Sequence, residues 1–427
     1  MPTRRRSRNA PPSTPNRTPP SSNPSDRTTV GAAGFRAYLA AFVALDAAEQ
    51  IQSVAVAWQI YGVAHRALDL GLVGLVLFVP TLVLAPVAGV AADRFDRRSV
   101  VALAALAEIP VCGGLLALAG RHDATALVAD LAILFVAGAA RAFAFPAQQA
   151  LLPAIVSEER YVSASAAASA VRELVRIGAP AAGGVLVALG MLPAYATVIA
   201  GATAAAALAV RIPLLTAPPR VAPSTFRDVF AGAAFLRARP VLSGAISLDL
   251  FAVFFGGATA LLPIYAAQVL HVGAVGFGAL RAAASAGTAL CAAVLARRPI
   301  RRFAGPRLLA AVAAFGAATI VFGLSRTVWL SFAALAALGA ADMVSMVIRD
   351  ALLALQTPNV MRGRVSAVEG VFIVASNELG EFESGILAAF VGAVPAVVIG
   401  GLATLCVVAL WTAANPALRK ADRLSSG

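Results

Sequence analysis

Ten acids and five arginines are the candidates for chemistry among the charged residues that stand inside otherwise apolar stretches of this 427-residue chain. The acids are Asp46, Glu49, Glu108, Glu173, Asp249, Asp342, Asp350, Glu378, Glu381 and Glu383; the arginines are Arg141, Arg172, Arg176, Arg281 and Arg349. At the centre of a membrane helix each would cost about 2.5–3.5 kcal/mol on the mildest insertion scale, so they must face one another or a wet cavity. Their spacing agrees. Asp46, Glu49 and Gln50 share one helical face, as do Arg172 with Arg176 and Glu378 with Glu381, while Asp342 and Arg349 sit two turns apart. Burial raises a carboxylate's pKa and a nearby arginine lowers it, so an acid that meets arginine in one conformation only would take up and release a proton. For each pair the alternative is a fixed ion pair that holds helices together.

The elements that must position these groups are membrane helices. The chain is 60% hydrophobic and 13% charged, whereas soluble domains are about 45–50% apolar and about 25% charged. Twelve apolar runs lie near 36–62, 68–92, 99–120, 124–150, 162–189, 192–213, 241–269, 273–296, 306–325, 328–355, 365–391 and 394–414. Each approaches the roughly 20 residues that a helix needs to cross a bilayer. The expected fold class is an all-α membrane protein. Its segments are a disordered cytoplasmic tail (1–34), an N-terminal six-helix bundle (35–213), a cytoplasmic linker (214–240), a C-terminal six-helix bundle (241–414) and a second cytoplasmic tail (415–427). Within the linker, Phe226, Val229, Phe230 and Ala233 recur at helical spacing. That pattern fits an amphipathic helix on the inner leaflet or a plain linker helix.

Scarcities exclude several chemistries. The only lysine is Lys420, so the chain has no phosphate-binding loop of the Walker type and no intramembrane Schiff base. His65, His122 and His271 fall in short loops on one side, and Cys112, Cys291 and Cys406 stand apart in separate runs. No metal site, cofactor or enzyme constellation is expected from them. The net charge of +13 does not point to nucleic acid, because the arginines cluster at loop ends. Loops on one side carry only Arg66, Arg121 and Arg326. By the positive-inside rule, both termini then lie in the cytoplasm of a bacterial cell, where the arginines meet anionic lipid.

The halves repeat. Leu45-Asp46 matches Leu248-Asp249, Ala150-Leu151-Leu152 matches Ala351-Leu352-Leu353, Val162-Ser163-Ala164 matches Val365-Ser366-Ala367, and Glu173-Leu174 matches Glu378-Leu379, all in the same order. The loop after the second run reads Gly89-Val90-Ala91-Ala92-Asp93-Arg94-Phe95-Asp96-Arg97-Arg98. This resembles the loop signature of the major facilitator superfamily, with Asp96 where many members carry Gly. Gly178-Ala179-Pro180-Ala181-Ala182-Gly183-Gly184 is similar to the span-5 motif of drug-exporting antiporters, with Ala179 in place of Gly. Phe145-Pro146-Ala147, Leu152-Pro153 and Arg362-Gly363-Arg364-Val365 resemble the branch that contains the enterobactin exporter.

The resemblance implies two pseudo-symmetric six-helix bundles that rock about a central cavity lined by spans 1, 4, 7 and 10. It makes Asp46, Glu49, Gln50, Arg141, Asp249, Asp342 and Arg349 cavity or proton-coupling candidates, beside Arg172, Arg176, Glu378 and Glu381. It also implies that Asp93 stabilises the outward-open form by meeting the positive end of span 11, with Arg94, Arg97 and Arg98 as surface anchors. The function implied is a monomeric, proton-coupled antiporter of the inner membrane that exports small molecules, drug-like or siderophore-like. An importer on the same scaffold and a sensor that transports nothing are the alternatives. The cargo's charge stays open, since the acids suit a cation and the arginines an anion.

Overall fold

The computed structural model describes residues 24–64, 66–121, 123–213 and 226–422. They are almost entirely helical, with no β-strand among the described residues. In hydrocarbon a backbone must satisfy its own hydrogen bonds, and these Ala- and Leu-rich runs do so as helices. The first six are α1 (Pro24–Ala64), α2 (Ala67–Arg94), α3 (Arg97–Leu118), α4 (Ala124–Ile155), α5 (Glu158–Leu189) and α6 (Met191–Ala209). A linker helix (Phe226–Arg237) precedes α7 (Pro240–Phe255), α8 (Gly273–Arg297), α9 (Ala304–Leu324), α10 (Val328–Gln356), α11 (Asn359–Val391) and α12 (Ala393–Ala414). Among the described residues, ten segments are apolar and long enough to span a bilayer on composition alone. The other two, α5 and α11, are the ones that carry Arg172, Glu173 and Arg176, and Glu369, Glu378, Glu381 and Glu383.

Three expectations need correction. Residues 24–34, expected to lie in an unfolded tail, are helical and continuous with the first span as α1 (Pro24–Ala64). The eleventh span begins at Asn359, not 365, because Pro358 ends the preceding loop and caps the helix start. The seventh span, expected as one helix over 241–269, breaks after Phe255. Gly256 and Gly257 turn the chain, and a 3-10 turn (Ala258–Leu261) leads through Pro263 to a π-helical turn, Tyr265–Val269. A Cβ on Gly257 would meet the Gly380 carbonyl oxygen at 2.5 Å, so the break lets α11 approach the backbone. Irregular backbone at membrane depth is tolerated where it lines a cavity.

Helices α1–α6 and α7–α12 form two bundles with matching internal neighbours. Each bundle packs its first helix on its last, α1 on α6 and α7 on α12. The one-residue turns Gly190 (φ 128°) and Gly392 (φ 88°) close equivalent corners, α5 to α6 and α11 to α12, at backbone angles that only glycine adopts without strain. The halves meet along α2 with α11 and α5 with α8. In each pair one helix face changes character along its length. Gly385 on α11 is buried, whereas Val374 and Val371 on the same face are exposed. Pro180 and Gly184 on α5 are buried, whereas Ala170 and Val162 are exposed. The halves therefore close at the arginine-poor end and splay apart at the end that carries Gly89–Arg98.

That loop is anchored. Asp96 caps α3 by accepting the Arg98 backbone N–H at 3.0 Å and pairs with the Arg98 guanidinium at 2.7 Å. The hydrogen bonds from Arg98 hold the Asp96 carboxyl below its usual pKa. Arg97 donates to the Ala150 carbonyl and Arg98 to the Ile212 carbonyl, each at 3.0 Å, which ties the loop to the ends of α4 and α6. The side chain of Asp93 lies outside those described, as do His65, His122 and residues 1–23. At the opposite end Asp123 caps α4 through the Ala126 N–H, and Thr125 and Arg121 also donate to it; these bonds hold its pKa down to about 2. The linker helix docks on protein. Gly232 lies against the Arg364 carbonyl and Leu236 is buried in the C-terminal bundle.

Candidate functional site

Between the halves lies a cavity of about 170 Å³. Helix α1 contributes Gln52 and Ser53, α4 Arg141, the broken end of the seventh span Thr259, α8 Arg281, and α11 Glu378 and Glu381. The two glutamates, one helical turn apart, project towards α2 at Gly74. A Cβ there would meet Glu378 Oε2 at 3.0 Å and Glu381 Oε2 at 3.3 Å. Thr259 Oγ1 donates to Glu381 Oε1 at 3.4 Å. Arg281 acts electrostatically on both glutamates, and Arg141 acts electrostatically on Glu378 across the cavity from the other half, with no ion pair between them.

Arg141 also has partners in its own half. Its Nη2 donates to Gln52 Oε1, and its Nε lies 3.6 Å from Glu108 Oε1 on α3. Glu49 on α1 faces it as well. One arginine is thus shared between acids of the N-terminal bundle and an acid of the C-terminal bundle.

The matching architecture is confirmed by comparison. The family model described as transmembrane secretion effector matches residues 30–426. The chain belongs to this major facilitator family. The transporter is 28% identical over 385 residues to the enterobactin exporter EntS of Citrobacter koseri, covering 87% of this chain and 89% of that one. The EntS of Shigella dysenteriae serotype 1 gives the same values. Among solved structures, a bacterial homologue of the iron transporter ferroportin in an inward-facing state has a TM-score of 0.68 at 13% identity, covering 89% of this chain and 99% of that one. A POT family transporter in complex with 5-aminolevulinic acid has a TM-score of 0.69 at 11% identity, covering 91% and 97%. At such identities the structures speak for the fold alone.

The remaining candidates of the transporter fall into two groups towards the arginine-rich end. In the N-terminal bundle Asp46 faces Arg172, Arg176 and Glu173 and bonds Gln50. Arg172 lies over the Phe42 ring at 4.6 Å, and Arg176 pairs with Glu173 at 3.6 Å. In the C-terminal bundle Arg349 is ion-paired with Asp249, and its Nε lies 3.2 Å from Glu369 and 3.6 Å from Asp350. Ser345 donates to Asp249 at 3.0 Å, and Asp342 faces both Asp249 and Arg349. Asp249 and Arg349, expected at the central cavity by family resemblance, instead line a small cleft between α7, α10 and α11. Four acids around one arginine make that cation indispensable. Arg349→Met should destabilise the protein by about 3–5 kcal/mol, the cost of stranding a buried charge. Adding Asp249→Asn should recover part of the loss in thermal unfolding of purified protein.

The span-5 motif works at the contact between halves. A Cβ on Gly184 would meet the Ala274 carbonyl oxygen at 2.6 Å, and one on Gly278 would meet the Pro180 carbonyl oxygen at 2.4 Å. Gly183 packs on Ile51 and Val54 of α1, whereas Gly178 has open space. Some residues escaped the sequence reading. Gln52 and Gln59 carry no charge, so nothing in their spacing singles them out. Asp130 is fully buried on α4, bonded by Gln59 at 3.2 Å, and Tyr195 donates to the same Gln59 at 2.8 Å. Asp130 and Glu369 both stand inside apolar runs, so the criterion that picked out the other acids applies equally to them.

Proposed function

We propose that this transporter is a proton-coupled antiporter that exports small molecules from the cytoplasm by alternating access. The observation that carries the reading is the shared charge cluster, with Arg141 from one half and Arg281, Glu378 and Glu381 from the other converging on one cavity. A nearby arginine offsets part of what burial costs an ionised carboxylate, and Arg141 and Arg281 stand in that relation to Glu378. Rotation that draws Arg141 back towards Glu49 and Glu108 leaves Glu378 with less compensation, and it takes up a proton. Cargo and proton then occupy the same cavity in alternate states. Thr259, Ser53 and the charged groups suit a polar, hydrogen-bonding cargo, and apolar Val56, Val73, Leu77 and Phe277 on the same wall suit an amphiphile, drug-like or siderophore-like.

Several features support this reading. The named relatives are exporters, and the glycine contact of the span-5 motif lies on the seam that closes the arginine-poor end. With the arginine-rich loops in the cytoplasm, the splayed end receives cargo from inside the cell, and both termini are cytoplasmic in the bacterial inner membrane. Asp93, at the end of α2, acts as a gate with the start of α11, and the transporter works as a monomer. The test is secretion profiling of a strain that lacks the gene, followed by inverted vesicles loaded with a pH dye. A compound retained by the deletion strain should collapse a preformed acid interior. Transport of that compound with no proton movement, or movement of both in the same direction, would replace antiport with another mechanism.

A further inference from the structure

Glu108 takes no part in lining the cavity, yet it touches the residue on which the cavity turns. It is 3% exposed on α3, behind Gln52. Gln52 Nε2 donates to Glu108 Oε2 at 2.5 Å and contacts Cys112 Sγ at 3.4 Å, while Gln52 Oε1 accepts from Arg141. The amide's orientation is thereby set at both ends. Its oxygen must face the guanidinium, which has no acceptor, and its NH₂ must face a group that accepts; an ionised carboxylate is acceptor-only. Glu108 also approaches Arg141 directly, at 3.6 Å.

We propose that Glu108 is a positioning residue: through Gln52 it holds Arg141 to the N-terminal bundle and so sets the pH at which the two halves change partners. This rests on the proton-coupled reading above for its consequence, and on the Gln52 bridge for its geometry. The charged and titratable groups that face Arg141 are Glu49 from α1, Glu108 and Cys112 from α3, and Glu378 from α11. Those that face Glu378 are Glu381 on its own helix, Arg141 from α4 and Arg281 from α8. Removing the charge of Glu108 takes away one of the two acids that hold Arg141 back in its own half. Arg141 then leans towards Glu378 and favours its ionised form. More acid is needed to protonate it, and the transition moves to lower pH.

The test needs no cargo. Spin labels at Ser99 on α3 and Arg307 on α9, both exposed, report the separation of the halves at the arginine-rich end as pH is varied. Cys291 and Cys406 are replaced, and buried Cys112 is kept. The wild-type distance should change with a defined midpoint, and Glu108→Gln should move that midpoint to lower pH by about one unit, the lower end of what one opposing charge produces. Glu108→Asp, which keeps the charge, should leave the midpoint clearly nearer the wild-type value than Glu108→Gln does. Gln52→Asn, too short to span Arg141 and Glu108, should move the midpoint in the same direction and carries the test if Glu108→Gln does not fold. The proposal is overturned if the wild type shows no pH-dependent change. It is equally overturned if the substituted proteins keep the wild-type midpoint, or if Glu108→Asp shifts as far as Glu108→Gln. A midpoint that moves as expected in a protein with no proton-linked flux would sink the antiport reading and leave the positioning role standing.

Discussion

Glu378→Gln is expected to reduce pH-driven transport to background while cargo exchange without a proton gradient persists. The glutamine keeps the shape that Gly74 leaves room for, where a Cβ would come within 3.0 Å of Glu378 Oε2, so the fold and the seam between α2 and α11 should survive. What disappears is the capacity to exchange a proton as Arg141 and Arg281 approach and withdraw. Glu381 remains, but it is held within its own half by Arg281 and Thr259, and Arg141 is not among its charged neighbours. The measurement is cargo counterflow beside gradient-driven flux in the same liposomes. Equal loss of both would mean that Glu378 binds cargo or supports structure, and gradient-driven flux at the wild-type rate would remove it from the mechanism.

Gly184→Val should leave a folded protein that cannot close its arginine-poor end. The added carbon meets backbone, the Ala274 carbonyl oxygen at 2.6 Å and Gly278 Cα at 3.0 Å, so no side chain can swing aside to relieve it. Overpacking of this kind costs about 1–3 kcal/mol. Because the clash lies between halves, the cost falls on one conformation, and about 1–3 kcal/mol moves a two-state equilibrium about 5–150-fold. A cysteine at cavity residue Ser53 should then react with an impermeant reagent from the arginine-poor side, where the wild type shields it. Gly178→Val, with nothing within 4 Å of its Cβ, should behave as wild type. Shielding of Ser53 in Gly184→Val would show that this contact is not the seal.

The overall architecture was legible because it rests on local quantities. Apolar run length sets span positions, and matched pairs such as Leu45-Asp46 with Leu248-Asp249 display the two halves before any contact is known. The two helices that fall outside the apolar span criterion, α5 and α11, coincide with the expected runs 162–189 and 365–391 and carry several charged residues each. The break in the seventh span was not legible. Gly256-Gly257 reads as two more glycines in an apolar run, and its reason is the Gly380 backbone that packs against it from another helix.

The candidate site divides in the same way. Spacing put Glu378 and Glu381 on one face, and they do share the cavity. Which arginine meets which acid depends on how the bundles dock, so Asp249 and Arg349 were expected at the centre although they pair in a cleft of their own. Gln52 was invisible because an uncharged amide carries no insertion penalty large enough to stand out. Its importance comes from what stands on either side of it, Arg141 and Glu108, brought together from α4 and α3.

The central claim is that a carboxylate at this cavity gains and loses a proton within the working pH range. Infrared difference spectra of purified protein, recorded as pH is stepped, would read the protonated carboxyl band directly. A band that titrates in the wild type and is missing from Glu378→Gln is the predicted result. A spectrum in which no carboxyl titrates, or in which the same band persists in Glu378→Gln, would contradict the account.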